Sequence, residues 1–192
     1  MKSTKKQYEM DMCSGSILKK MLLFALPLML SSILQLLFNA ADIVVVGKFS
    51  GDNALAAVGS NTALINLLTN LFVGFSIGAN VTAARYYGAK CNKDLEETIH
   101  TAITMSFASG LLLMVVGVIF AKQFLIWMQT PKEVLPLATL YLHIYFIGMI
   151  PNMVYNFGSA LLRAVGDTRR PLYYLTFAGC INVILNIFTV IV

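Results

Sequence analysis

The sequence predicts an all-α polytopic membrane protein with about five transmembrane helices. Of its 192 residues, 58% are hydrophobic and only 12% are charged, whereas about a quarter of the residues in globular domains are charged. The mean hydropathy is +0.75. The apolar residues form runs long enough to cross a hydrocarbon core of about 30 Å as helices.

The basic residues between the apolar runs are unevenly distributed, and this distribution predicts the orientation of the chain in the membrane. Of the 14 Lys and Arg residues, five precede or open the first apolar run, three lie between residues 85 and 93, and three lie between residues 163 and 170. The last three lie on the alternate connections. Since basic residues accumulate in cytoplasmic loops, we predict a multi-pass protein of the plasma (inner) membrane with a cytoplasmic N-terminus. The net charge of +5 therefore indicates the lipid bilayer, and not nucleic acid, as partner.

The first predicted helix, residues 17–47, follows a polar segment, residues 1–16, that we place at the cytoplasmic surface. The helix carries one carboxylate, Asp42, in an apolar run. An ionised Asp in hydrocarbon costs roughly 2.5–3.5 kcal/mol, so its presence indicates a functional interior position. The side chains that share its helical face are Ser31, Ser32, Gln35 and Asn39.

Pro27 lies in the same helix. Its ring removes the backbone donor that would pair with the carbonyl of Leu23, which predicts a bend. An alternative stays open, in which Pro27 only marks the first turn and Asp42 is hydrated near the outer surface.

Helices 2 and 3 are predicted at about 54–87 and 98–121, joined by a cytoplasmic loop at 88–97. Helix 2 has a polar face composed of Thr62, Asn66, Thr69, Ser76 and Asn80. Gly74 and Gly78 form a small-xxx-small pair, which predicts helix packing on another face. Helix 3 is the least polar span, and we therefore expect it to be peripheral.

Helix 4, at about 135–163, is interrupted by Pro151 and bears a long polar face. Its members are Tyr141, Tyr145, Gly148, Asn152, Tyr155, Asn156, Ser159 and Arg163. Tyr and Asn side chains can stack on and hydrogen-bond a flat amphipathic ligand, or they can form interhelical hydrogen bonds, and both alternatives stay open. Helix 5 begins near Pro171, after a loop at 164–171. Its polar face consists of Gly179, Asn182, Asn186 and Thr189.

The sequence contains none of the patterns that support an enzyme. There is no Ser–His–Asp arrangement, HExxH motif or phosphate-binding loop, and the three cysteines, Cys13, Cys91 and Cys180, lack metal-type spacing. We predict no catalytic residue, no metal site and no cofactor.

Three segments carry a resemblance to a known family. Pro27 and Asp42 with VGKFSGDNALAAVG (46–59), GFSIGANVTAARYYGA (74–89) and LLRAVGDTRRP (161–171) occur in order at the expected separations. Together they resemble the multidrug and toxic compound extrusion (MATE) transporters, and the similarity covers essentially the whole chain.

The resemblance implies a fold of twelve helices in two six-helix lobes, which exports small organic cations or drugs against Na⁺ or H⁺. It implies a coupling site at Asp42, Asn182 and Asn186, with Gln35 and Asn39 nearby. In the family, the position of Asn186 is often acidic, so this chain has one acid where such members have two. The residues proposed to line the substrate cavity are Asn66, Tyr145, Asn152, Tyr155 and Asn156.

The resemblance also implies that residues 17–192 are helices 1–5 of the N-terminal lobe, with helix 6 and the second lobe absent and the remainder of the transporter as a partner. Two alternatives are kept. One is a non-transporting truncated membrane fragment. The other is a lipid-linked precursor flippase of the same superfamily, whose cavity would carry cationic side chains that these spans lack.

Overall fold

The computed structural model describes residues 16–49 and 51–191, which fold into α-helices without any β-strand. The helices are α1 (Ile17–Phe49), α2 (Asp52–Gly88), α3 (Asn92–Trp127), α4 (Leu135–Ile147), α5 (Met149–Ala164) and α6 (Arg169–Ile191). This confirms the all-α prediction. Apart from Ser16, the segment predicted at the cytoplasmic surface lies outside the described residues.

Three helices are long and apolar enough to cross a bilayer: α1, α2 from Ala54, and α3. The bent pair of α4 and α5 makes a fourth candidate span, and α6 corresponds to the predicted helix 5. The helices extend further than the apolar runs. Thus α3 begins at Asn92, and the loop predicted at 88–97 is only a turn at 89–91, because Lys, Leu and Glu are good helix formers even outside hydrocarbon.

The predicted helix 4 is broken. Its two parts, α4 and α5, meet at Gly148 with a bend of 50°. Pro151 has no N–H to donate to the carbonyl of Ile147, and its ring clashes with that carbonyl in a straight helix. The interruption predicted from Pro151 is confirmed, and it falls three residues before the proline.

Helices α2, α3, α4 and α5 pack around one apolar core. Its most deeply buried side chains include Leu113, Leu125, Leu142, Phe146, Met149 and Met153. The prediction that helix 3 is peripheral was wrong, since α3 packs extensively against α2, α4 and α5.

Small residues explain the position of α3. A Cβ at Gly117 would lie 2.0 Å from the Phe146 ring, and one at Gly110 would lie 2.7 Å from the Ile150 Cα. Both glycines therefore allow the neighbouring helices to approach closely, as in other membrane bundles. Gly74 and Gly78 behave differently: no atom of the described chain lies within 4 Å of a Cβ built there. The packing expected of this pair is therefore not found among the described residues.

Candidate functional site

A polar cluster forms where α1 crosses α6. Asn186 Nδ2 donates a hydrogen bond to Asp42 Oδ1 at 2.5 Å, and it lies 3.4 Å from Asn182 Oδ1. Asn182 and Asn186 are one helical turn apart and therefore share a face. The three residues predicted to lie together are thus in contact.

An apolar contact sets the approach of these two helices. A Cβ at Gly179 would lie 2.0 Å from the Phe38 ring, so only glycine permits the observed spacing. Phe38 lies one turn before Asp42 on α1, and Gly179 lies three residues before Asn182 on α6. The glycine contact therefore stands next to the polar cluster.

Within the described residues, no cationic side chain balances the charge of Asp42. The side chain is half-buried in α1, and no Lys, Arg or His of the described residues forms an ion pair with it. The amide nitrogen of Asn186 faces the carboxylate, the Asn182 oxygen lies next to that nitrogen, and Tyr141 of α4 lies within electrostatic reach of the carboxylate. Carboxylate and amide oxygens are ligands for hard cations, and the carboxylate can also take a proton.

The start of α6 is fixed by Asp167, which is buried. Its Oδ1 accepts hydrogen bonds from the backbone N–H groups of Arg169 and Arg170 at 3.1 Å, and its Oδ2 lies 3.1 Å from Arg170 Nε. This is an N-cap, and it anchors the helix that carries both asparagines. The sequence signal is the acid of GDTRRP, four residues before Pro171, in the segment predicted as the loop 164–171.

Gln35 and Asn39 do not join the cluster. Both lie on the Asp42 side of α1, but both are exposed, and no hydrogen bond within the described chain links either to Asp42. Gln35 is seven residues away, which is about 10 Å along a helix.

Pro27 lies further from the cluster, inside an unbroken α1. Its carbonyl accepts a hydrogen bond from Ser31 Oγ at 2.8 Å, which adds a local partner to the turn after the proline. The side chain is buried, unlike most of α1. A bend at Pro27 stays a prediction.

The polar face predicted on helix 4 is divided by the bend at Gly148. On α4, the rings of Tyr141 and Tyr145 stack at 6.3 Å between centroids, and Tyr141 lies within electrostatic reach of Asp42. On α5, Asn156 Nδ2 donates to Asn152 Oδ1 at 2.8 Å, so these amides are paired within their own helix.

Two other residues proposed to line the substrate cavity stand apart. The Tyr155 hydroxyl donates to the Pro171 carbonyl at 3.4 Å, which links α5 to α6. Asn66 is exposed on α2. Of the five candidates, Tyr145 is linked to the Asp42 cluster only indirectly, because its ring stacks on Tyr141, which lies within electrostatic reach of Asp42.

Two asparagines of α2 have a packing function that the sequence reading missed. Asn61 Nδ2 donates to the Ala138 carbonyl at 3.0 Å, and Asn80 Nδ2 donates to the Ala160 carbonyl at 2.5 Å. They tie α2 to α4 and α5. Asn80 belonged to the predicted polar face, whereas the polarity pattern gave no reason to single out Asn61.

Comparisons with known proteins agree with this fold. The sequence profile of the family described as MatE matches residues 27–188. The chain is 34% identical over 170 residues to the probable multidrug resistance protein YoeA of Bacillus subtilis, covering 88% of the chain and 37% of the relative. It is 29% identical to YpnP of the same organism, covering 91% of the chain and 39% of the relative.

A solved structure, the crystal structure of MATE in the bent conformation, superposes with a TM-score of 0.83 at 23% identity. The match covers 90% of the chain and 38% of that structure. The chain thus spans less than two fifths of the length of the proteins it matches.

Proposed function

The chain belongs to the MatE family of transporters, and we propose that it forms helices 1–5 of the N-terminal lobe of an antiporter that exports small organic cations or drugs in exchange for Na⁺ or H⁺. The observation that carries this proposal is the hydrogen bond between Asp42 of α1 and Asn186 of α6, whose amide nitrogen also lies 3.4 Å from Asn182 Oδ1. The rest of the transporter would be its partner, and we propose the plasma membrane with a cytoplasmic N-terminus as its location.

Coupling would follow from the charge of Asp42. A half-buried carboxylate in a membrane span is costly, and no cationic side chain of the described residues offsets its charge. A proton or a Na⁺ ion would neutralise it, with the Asn182 and Asn186 oxygens as neutral ligands. Binding and release of that cation would bias the packing of α1 against α6.

Alternating access requires that binding and release of the coupling ion shift the protein between two conformations. A ligand shifts an equilibrium between two conformations only if it binds one of them more tightly. The Asp42 site is shared by two helices, so a change in their separation alters the ligand set directly. We propose that Pro27 lets α1 bend between the two shapes as the lobes alternate access.

For substrate contact we propose the stacked pair Tyr141 and Tyr145, because aromatic faces attract organic cations. Asn66, with its exposed amide, is a further candidate. Asn152, Tyr155 and Asn156 are weaker ones, since their side chains have partners within the protein.

The alternatives have less support. A flippase for lipid-linked precursors would need cations around its cavity, and the cluster at Asp42 presents a carboxylate and amides instead. A non-enzymatic role agrees with membership of a transporter family, and we propose no catalytic residue.

The test is efflux by the intact transporter that contains this chain, at matched membrane abundance, under imposed Na⁺ or pH gradients. Asp42→Asn keeps the size and hydrogen-bonding capacity of the side chain but removes the exchangeable charge, so gradient-dependent ethidium efflux should fall to background. Asn186→Ala, which removes a neutral ligand, should be milder. Glu96→Gln, on the exposed surface of α3, is the matched control and should export normally. Efflux by Asp42→Asn at the wild-type rate would remove this residue from the mechanism.

A further inference from the structure

A groove of about 450 Å³ lies between α2 and α3, close to the turn that joins them. It is separate from the Asp42 cluster. On α3 its lining side chains recur at helical spacing from Asp94 to Met105, and on α2 they do so from Phe75 to Tyr86. Each stretch covers eleven residue steps, so the groove is about 16 Å long. Its volume is in the range of sites for drug-sized ligands.

The groove has a polar end and an apolar end. Because α2 and α3 run antiparallel, Tyr86 lies beside the Asp94 and Glu97 end near the turn, while Phe75 lies towards Met105 within the span. The floor is formed by small residues such as Ala102, which is buried. A ligand with a charged head and an apolar body would therefore find a matching gradient of polarity.

The polar end is built to accept hydrogen bonds and positive charge. Thr98 and Thr101 donate their hydroxyl hydrogens to backbone carbonyls of their own helix, at 2.7 and 2.8 Å, and Thr82 does the same at 3.0 Å. Their oxygens are left as acceptors next to the two carboxylates.

No Lys, Arg or His lines this groove among the described residues. The basic residues near the turn, Arg85, Lys90 and Lys93, are outside its lining. An anion would find only the Tyr86 hydroxyl as a side-chain donor, whereas a cation would find carboxylates and an aromatic ring.

We propose that this groove is a second binding site for amphipathic organic cations. The head of the cation lies between Asp94 and Glu97, and its aromatic or aliphatic body lies along Phe75 and Met105. The proposal rests on the proposed function, because it assigns such cations to this chain. In the orientation predicted from the basic residues, the polar end of the groove lies at the cytoplasmic surface, so it would capture substrate there before the substrate reaches Tyr141 and Tyr145.

Ethidium, a permanent planar cation, is a suitable probe. Its binding to the purified 192-residue chain in phosphatidylcholine nanodiscs can be followed by fluorescence anisotropy. Each exposed ion pair contributes about 0.2–1 kcal/mol, so the double variant Asp94→Asn/Glu97→Gln, which removes two of them, should weaken binding about 2- to 30-fold. The control Glu96→Gln/Glu133→Gln removes the same charge outside the groove and should change affinity less than twofold.

A second pair of variants tests the apolar end. Phe75→Leu should weaken ethidium binding, whereas Phe107→Leu, an exposed ring on α3 outside the groove, should not. Equal losses in both charge variants, or no loss in the groove variant, would overturn the proposal. A loss of ethidium binding in Phe75→Leu without a loss in Asp94→Asn/Glu97→Gln would also overturn the proposal, because that pattern fits a site for a lipid acyl chain and not for a cation.

The proposal and the proposed function fail in different ways. Loss of efflux in Asp42→Asn tests the proposed function, whereas the groove is tested by ethidium binding to Asp94→Asn/Glu97→Gln and Phe75→Leu. In the intact transporter, Asp94→Asn/Glu97→Gln should raise the half-saturating drug concentration without lowering the maximal efflux rate. If the wild-type transporter exported no drug, the proposed function would fail, while the nanodisc experiment would still decide whether the groove binds cations.

Discussion

Gly117 offers a quantitative test of the packing that places α3 in the core. A Cβ at this position would lie 2.0 Å from Phe146 Cγ, whereas ordinary van der Waals contact begins at 3.4 Å, so the atoms would have to separate by 1.4 Å. Phe146 is fully buried. Because Cγ is the point at which the ring is attached, rotation of the ring cannot relieve the overlap.

The size of the effect follows from two opposing terms. Overpacking a core costs roughly 1–3 kcal/mol, and a clash that rotation cannot relieve should be near the upper value. Ala in a helix interior is favoured over Gly by about 1 kcal/mol. We therefore expect Gly117→Ala to lower the free energy of unfolding by about 2 kcal/mol.

Gly74→Ala is the matched control, because it makes the same substitution at a position where no neighbouring part of the described chain lies within 4 Å of the new Cβ. It should raise the free energy of unfolding by up to about 1 kcal/mol. The assay is reversible unfolding in mixed micelles by increasing SDS, followed by helical circular dichroism. If Gly117→Ala were as stable as Gly74→Ala, the close packing of α3 against Phe146 would be refuted.

Two further predictions concern orientation and the start of α6. Cys91 is exposed at the turn between α2 and α3. In a Cys13→Ser/Cys180→Ser background, it should react with a membrane-impermeant maleimide only after the cells are permeabilised. Efficient labelling of intact cells would reverse the proposed topology. Asp167→Ala should lower the free energy of unfolding by about 1–2 kcal/mol, because it removes an N-cap. The control Glu96→Ala, on an exposed face, should change the free energy of unfolding by less than about 0.5 kcal/mol. Equal stability of the two variants would show that the cap is dispensable.

The resemblance to the MATE transporters, and not polarity alone, predicted that Asp42, Asn182 and Asn186 lie together, and the asparagines at 182 and 186 share a helical face as that site requires. The same prediction named Gln35 and Asn39, which are exposed and do not join the cluster. Periodicity also predicted the polar face of helix 4. It could not predict how the bend at Gly148 divides that face, because the direction of a break depends on the helices packed around it.

The position of α3 could not be predicted from polarity, because the relevant property is shape. An apolar span can face lipid or a protein core at a similar hydrophobic gain, so small residues and not hydropathy decide the contact. A small residue in the sequence does not by itself predict that another helix packs against it. Gly110 and Gly117 receive neighbouring helices, whereas Gly74 and Gly78, in a recognisable motif, meet nothing within the described chain.

These packing details bear on the proposed coupling site. Among the described residues, Asp42 is hydrogen-bonded to Asn186 of the opposite helix, and that helix is positioned by the Gly179 contact with Phe38 and by the Asp167 cap. In the described part of the chain, the cluster holds no carboxylate other than Asp42 that could share a proton with it. Under the proposed function, a cation at Asp42 would act on the contact between α1 and α6, and the apolar contact of Gly179 with Phe38 sets the separation on which it would act.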